Sequence, residues 1–327
     1  MDIREILGKR RLFLDGGTGT SLQKMGLKAG ERPETWNILH PERIESLHRA
    51  YLDACADIIY TNTFGANRLK YPAGGEFSLE EVVRSAVNVA KAAQRACKRE
   101  DSSWVALDIG PSGKLLKPLG DLDFEDAVSL FAEVVRYGAQ AGADLVVIET
   151  MGDSYELKAA VLAAKENCAL PIIATAAYDE KARLLTGGTP ESVTALLEGL
   201  GVDALGLNCG LGPEQMRGHL AELRAWTSLP LFLLALLALA VLGYVAWSAA
   251  AVVRARGRRG ERAYTAVLGA LCAALAIYAG NCLLWGVNYW TDSFQDLSGI
   301  YAQPVRQEDL TAVTAEFAQQ LAQAAGE

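Results

Sequence analysis

Four short segments of the chain carry side chains able to hold a small charged molecule. Asp15-Gly16-Gly17-Thr18-Gly19-Thr20 follows the apolar run Leu12-Phe13-Leu14. Glycines in such a turn let backbone amides face a carboxylate, and the Asp15 side chain can accept from an ammonium. Thr61-Asn62-Thr63-Phe64-Gly65 sets three polar side chains together, again after an apolar run. Glu149-Thr150 places a carboxylate after Leu145-Val146-Val147-Ile148. Gly206-Leu207-Asn208-Cys209-Gly210 presents a thiol, which as thiolate is both a nucleophile and a soft metal ligand. Each segment also has a plainer reading: a glycine turn, a polar turn that caps the next helix, a glutamate that caps the next helix, a cysteine acting as a small buried hydrophobe.

Position in a fold decides between these readings, and a parallel sheet would bring all four segments to one place. Apolar runs at residues 12–15, 57–62, 104–108, 144–149, 171–176 and 204–208 alternate with amphipathic stretches at 41–56, 78–99, 124–141, 154–166, 190–200 and 213–226. Successive βα units predict an α/β fold with a parallel sheet, closed or nearly closed as a barrel. Pro190 and Pro213 suit the first turn of a helix. The four segments then fall at the C-terminal ends of strands, where barrel enzymes place their sites. A complete barrel of this type has eight units, so the expected fold is an incomplete TIM-type barrel of about six.

Beyond Pro230 the chemistry changes. Residues 231–253 carry no charge, residues 254–262 hold five arginines, and residues 264–287 are again uncharged, with Trp285, Tyr289 and Trp290 at the end. At ~1.5 Å per residue the first run is long enough to cross a ~30 Å hydrocarbon core. The pattern predicts a transmembrane hairpin with its arginine loop in the cytoplasm, a membrane location, and the lipid bilayer as a partner through residues 231–287. From residue 291 the chain is polar, with a helical period through Leu310, Val313, Phe317 and Leu321. The expected domains are a partial barrel at 1–228, the hairpin at 229–290 and a polar tail at 291–327.

The chain carries 31 Lys+Arg against 39 Asp+Glu, a net charge of −8, which argues against nucleic acid as a partner. Cys55, Cys97, Cys168, Cys209, Cys272 and Cys282 lack CxxC spacing and read as reduced thiols rather than a disulfide framework. Residues 1–17 are charged and lack an apolar core, so no signal peptide is expected.

In order and spacing, Leu14-Asp15-Gly16, Ala56-Asp57-Ile58-Ile59-Tyr60-Thr61-Asn62-Thr63-Phe64, the Gly110-Pro111 turn, Glu149-Thr150, Leu185-Thr186-Gly187-Gly188 and Gly206-Leu207-Asn208-Cys209 resemble one known domain. It is the homocysteine-binding domain of the homocysteine S-methyltransferase family, shared by methionine synthase and betaine–homocysteine methyltransferase. The resemblance covers about residues 10–230. It implies methyl transfer to the sulfur of homocysteine, or of a similar thiol amino acid, with zinc as cofactor. Zinc binds the sulfur as thiolate, and three cysteine ligands leave its fourth position for the substrate. By the same resemblance Asp15 and Glu149 hold the substrate amino group, the backbone at Gly16, Gly17 and Thr63 meets its carboxylate, and Cys209 is the first zinc ligand.

The other two family ligands form an adjacent pair within Gly-Gly-Cys-Cys-Gly-Thr, and this sequence has no such motif. Cys272 and Cys282, on one expected helix, stand ~15 Å apart along its axis. That is too far to share a zinc ion at ~2.3 Å per bond. Residues 231–327 resemble more weakly, at Asn288-Tyr289-Trp290 through Ser298-Gly299, the start of a bacterial membrane protein family of uncharacterised function. That family continues into a His-Glu-x-x-His domain, whereas the histidines here are His40, His48 and His219. The resemblance puts the barrel in the cytoplasm, while the arginine loop puts it on the other side. A joined sequence, with its junction near Leu229-Pro230, reconciles the two. The expected function is a homocysteine S-methyltransferase-type barrel with weak or absent turnover. Two rivals are a membrane-anchored amino-acid-binding module and a membrane protein with a passenger barrel. The methyl donor is not legible.

Overall fold

A computed structural model describes residues 2–234. They belong to the first of two compact units, Met1–Leu236. Its sheet has six strands in sequential order: β1 (Ile58–Tyr60), β2 (Trp104–Ile109), β3 (Leu145–Met151), β4 (Ile172–Ala176), β5 (Ala204–Asn208) and β6 (Leu231–Leu234). All neighbours are parallel, with Ile59 opposite Val105 at one end of the order and Leu205 opposite Leu231 at the other. Before β1 lie two short 3-10 turns and the helices α1 (Thr18–Lys24), α2 (Trp36–Leu39) and α3 (Pro41–Asp53). Each later helix carries the chain back to start the next parallel strand: α4 (Leu79–Ala96), α5 (Phe124–Ala141), α6 (Ser154–Asn167), α7 (Pro190–Gly199) and α8 (Pro213–Trp226).

Local chemistry sets where these helices begin. Ser78 and Glu81 form a reciprocal capping box on α4, and Thr189 and Ser192 do the same on α7, with Pro190 in its first turn. The Asp153 carboxylate accepts the Tyr155 amide at 2.9 Å and starts α6.

Period-two alternation gives the sheet two different faces. Leu107, Ile109, Val146 and Ile148 pack with helix residues such as Val83 and Phe131. Ile58, Trp104, Ala106, Leu145 and Val147 point the other way and close over Ile3 from the N-terminal turn. Each fully buried aliphatic side chain of this kind contributes roughly 1.5–3 kcal/mol. Followed toward the C-terminal ends of the strands, the second, inward face changes from apolar to polar: Tyr60, Asp108, Glu149, Thr175 and Asn208 are its next members.

Two expectations are corrected. The apolar run at 12–15 is a single bridge, Leu14 opposite Ile58, rather than a strand. The Asp57 carboxylate intervenes there, taking the Phe13 amide at 2.8 Å and Arg10 at 3.0 Å. The sixth strand of the sheet is β6, which occupies the first four residues of the expected membrane span. A continuous apolar run suits a strand covered on both faces as well as a helix in lipid. Here it pairs with β5, and Leu205 N donates to the Pro230 carbonyl at 3.3 Å. No helix among the described residues is long and apolar enough to cross a membrane. The membrane location is therefore corrected, and the bilayer loses its support as a partner. The rest of the expected hairpin and the polar tail, residues 235–327, lie outside the described residues.

Candidate functional site

The polar layer on the inward face gathers three acidic side chains from three places in the sequence. Asp15 follows the Leu14 bridge, is buried, and accepts the Tyr60 amide on Oδ2 at 2.7 Å. Asp108 lies near the end of β2, where its N–H donates to Thr61 Oγ1 at 3.1 Å and its carbonyl accepts from Thr63 Oγ1 at 2.7 Å. Glu149 is inside β3, two residues before its end, so it does not cap the following helix; Asp153 does that.

Asn208, the last residue of β5, joins this layer to the thiol. Its Oδ1 accepts from Thr150 N and from Thr175 Oγ1, both at 2.9 Å. Its Nδ2 lies 3.2 Å from Glu149 Oε2, 2.8 Å from Thr150 Oγ1 and 3.5 Å from Cys209 Sγ, so two N–H donors serve three acceptors. Thr150 and Cys209 both have left-handed backbones, with φ of 61° and 58°. A non-glycine residue held there costs about 1–3 kcal/mol, and such strain gathers where side-chain direction matters more than stability.

Burial dominates the electrostatics. It pushes the Asp15 carboxyl well above the usual carboxylate range, against the Tyr60 amide that favours the charge, and Glu149 adds to the rise. Asp108 rises for the same reason, and the like charges of Glu149 and Asp15 add to the rise. Burial carries Glu149 up to about 7. The Cys209 thiol is pushed up to about 11 by burial first and by the Glu149 charge second. Buried like charges cannot all ionise, so this layer favours the protonated forms.

Of the residues singled out from the sequence, Asp15, Glu149 and Cys209 meet at this end of the sheet. Gly16 and Gly17 follow Asp15; a Cβ on Gly16 would lie 3.0 Å from Tyr51 Oη, so the backbone there is closely approached. Thr63 is buried and its hydroxyl is bonded within the strand ends, while its amide already donates to Thr61 O at 2.8 Å. Asp108, Tyr60 and Asn208 were not among the singled-out residues. Their signal is position: each sits at an inward register near a strand end, as Glu149 does.

The zinc site implied by the resemblance can be tested against these side chains. Among the described residues no group of three or more His, Cys, Asp or Glu side chains is placed to hold a metal ion. Cys209 Sγ has Thr150 Oγ1 at 3.8 Å and Asn208 Nδ2 at 3.5 Å beside it, a neutral hydroxyl and an amide N–H in place of further thiolates. Cys55, Cys97 and Cys168 are free, and each follows the C-terminus of a helix, at the opposite end of the sheet from Cys209. The described residues do not fit a three-thiolate zinc centre.

Comparison with known proteins bears on the same unit. The family model described as Homocysteine S-methyltransferase matches residues 12–244, and a protein family of unknown function, DUF3810, matches residues 217–327. Methionine synthase from Mycobacterium leprae is 30% identical over 249 residues, covering 71% of this chain and 20% of that protein. Methionine synthase from Mycobacterium tuberculosis is also 30% identical over 249 residues, covering 71% of this chain and 21% of that protein. The chain thus spans about a fifth of the length of these curated relatives. The crystal structure of the homocysteine methyltransferase MmuM from Escherichia coli, in its metallated form, is 25% identical with a TM-score of 0.63, covering 71% of this chain and 85% of that one. With its family model matched over most of its length, the chain belongs to the homocysteine S-methyltransferase family.

Proposed function

We propose that the described unit is an amino-acid-binding domain of homocysteine S-methyltransferase type. It holds homocysteine, or a similar thiol amino acid, and the residues of this chain alone do not complete methyl transfer. The observation that carries this is the approach of the Glu149 carboxylate and the Cys209 thiol through Asn208, with Asp15 buried at the same end of the sheet. Asp15 and Glu149 receive the substrate ammonium, whose charge offsets the burial that raises both groups. The backbone at Gly16 and Gly17 faces the substrate carboxylate. Thr63, whose amide is engaged, takes a different role from the one its resemblance implied: its hydroxyl fixes the end of β2.

The same acidic layer argues for weak turnover. A substrate thiol placed beside these carboxylates is held protonated, as Cys209 is, and the thiol is a far poorer nucleophile than the thiolate. In the family a zinc ion offsets that charge and supplies the thiolate. Cys209 as its single ligand does not make such a centre, so no step is assigned to a metal here. The unit that carries this site includes β6 and runs to Leu236.

Titration calorimetry of the full chain with L-homocysteine tests the reading. Binding is expected, weakened at least tenfold by Glu149→Gln or Asp15→Asn. No heat of binding, or binding indifferent to both changes, would sink it. Methylation of homocysteine above background, with S-methylmethionine as donor, would overturn the inference of weak turnover.

A further inference from the structure

Two buried polar atoms on the inward face have no hydrogen-bond partner: Tyr60 Oη and Asp108 Oδ1. Both residues are only 6% exposed. Leaving such a group unpaired is costly, and native structures rarely do so without a reason. Asp108 is not loosely placed. Its backbone is clamped on both sides by the hydroxyls of Thr61 and Thr63, which are themselves 2.7 Å apart. A rigid strand end therefore presents a carboxylate with an unpaired oxygen to the inward face of the sheet.

Donor arithmetic points to what is missing. A carboxylate only accepts, and a primary ammonium has three N–H donors and no acceptor. Asp15 uses one oxygen on the Tyr60 amide, and Glu149 uses one on the Asn208 carboxamide. Each of the three carboxylates then has an oxygen available, one for each donor of a single –NH3+ group. We propose that Asp108, flanked by the Tyr60 hydroxyl, is the third arm of an ammonium pocket, so that the site selects primary α-amino acids. The proposal rests on the amino-acid-binding reading above and narrows it: N-methylated or des-amino ligands forfeit one or more of the three bonds. A group retained for a ligand should also be a liability in its absence, because an unpaired buried carboxylate destabilises the empty protein.

The experiment uses the full chain, Asp108→Asn and Tyr60→Phe, each titrated with L-homocysteine and with 4-mercaptobutyrate, which lacks only the amino group. Asp108→Asn should lower affinity for L-homocysteine at least tenfold, Tyr60→Phe about threefold, and neither should change the weaker binding of 4-mercaptobutyrate. In the empty state Asp108→Asn should melt at a higher temperature than the parent. A lower melting temperature with equal loss of both ligands would mean that Asp108 is structural, and the proposal would fall. Unchanged L-homocysteine affinity in both variants would refute the third arm and leave the amino-acid-binding reading intact. A parent chain that binds neither compound would remove that reading, and this proposal with it.

Discussion

The Asn208 carboxamide donates to the Glu149 carboxylate at 3.2 Å although the two residues stand on β5 and β3, with β4 between them. Adjacent strands lie ~4.8 Å apart, so these backbones are separated by roughly twice that distance. The side chains close the gap by converging on the inward face. Thr175 on β4 joins them, donating to Asn208 Oδ1 at 2.9 Å. One amide thus ties three strands together at their C-terminal ends, so this polar layer is organised by the protein alone.

Removing that amide should therefore cost more than one hydrogen bond. Asn208→Leu leaves Thr150 N and Thr175 Oγ1 without their acceptor in a buried site. The expected loss is about 2–4 kcal/mol, read as a lower urea midpoint with an unchanged slope. A midpoint equal to that of the parent would mean the network is not formed in solution.

The raised carboxyls give stability a definite pH dependence. Glu149 is carried up to about 7 from an ordinary 4.5, so between those values the folded chain keeps a proton that the unfolded chain has released. Unfolding then releases protons, and stability falls as pH rises through this window, levelling off above it. Glu149→Gln removes that component. At pH 8 the variant should be the more stable protein, by on the order of 1–3 kcal/mol, and the two should converge below pH 4.5. Urea midpoints at pH 4, 6 and 8 provide the check, and a parent that gains on the variant as pH rises would contradict it.

Strands β1 to β5 and the helices between them are legible in the sequence because each buried parallel strand is an apolar run bounded by turn residues. Glu149 and Cys209 stand out because a carboxylate and a thiol close two such runs. Asp108 does so too, yet it hides beside Asp57 and Asp144, which look alike in sequence. Asp57 and Asp144 bond backbone amides near the starts of strands, Phe13 N and Val105 N, and only Asp108 reaches the inward face unbonded. Distinguishing them needs the register, which sequence spacing leaves a residue or two uncertain. β6 is illegible for another reason. Leu231-Phe232-Leu233-Leu234 opens an uncharged run of membrane length, and hydrophobicity alone does not separate a strand buried on both faces from a helix in lipid.

The Cys209 thiol, pushed up to about 11, should be inert for a cysteine at a strand end. At pH 8 roughly one part in a thousand is thiolate. Under native conditions iodoacetamide should label the exposed Cys55 well before Cys209, as peptide mass spectrometry would show. Dialysis against zinc should leave no tightly held ion. One zinc per chain, lost on Cys209→Ala, together with fast labelling of Cys209 in the zinc-free protein, would show that the thiol is activated after all.

The place of β6 in the sheet can be tested at a single glycine. Gly206 lies in β5 opposite Phe232, and a Cβ added there would fall 1.8 Å from the Phe232 carbonyl oxygen and 3.0 Å from its Cα. Neither atom belongs to a flexible side chain that could swing aside; both are part of the backbone that pairs the strands. Gly206→Ala should therefore push β6 away from β5 and loosen Phe232 from the inward layer it shares with Ile58 and Val147. Overpacking of this kind costs about 1–3 kcal/mol, and more where pairing is lost as well. Hydrogen exchange should localise the damage: amides of Leu231–Leu234 should lose protection while those of β2 and β3 keep theirs. If residues 231–234 were not part of the sheet, the three atoms nearest the added methyl would no longer oppose it. Alanine in a strand interior is favoured over glycine by roughly 0.5–1 kcal/mol, so the variant would then be as stable as the parent or more so, and that result would take β6 out of the sheet.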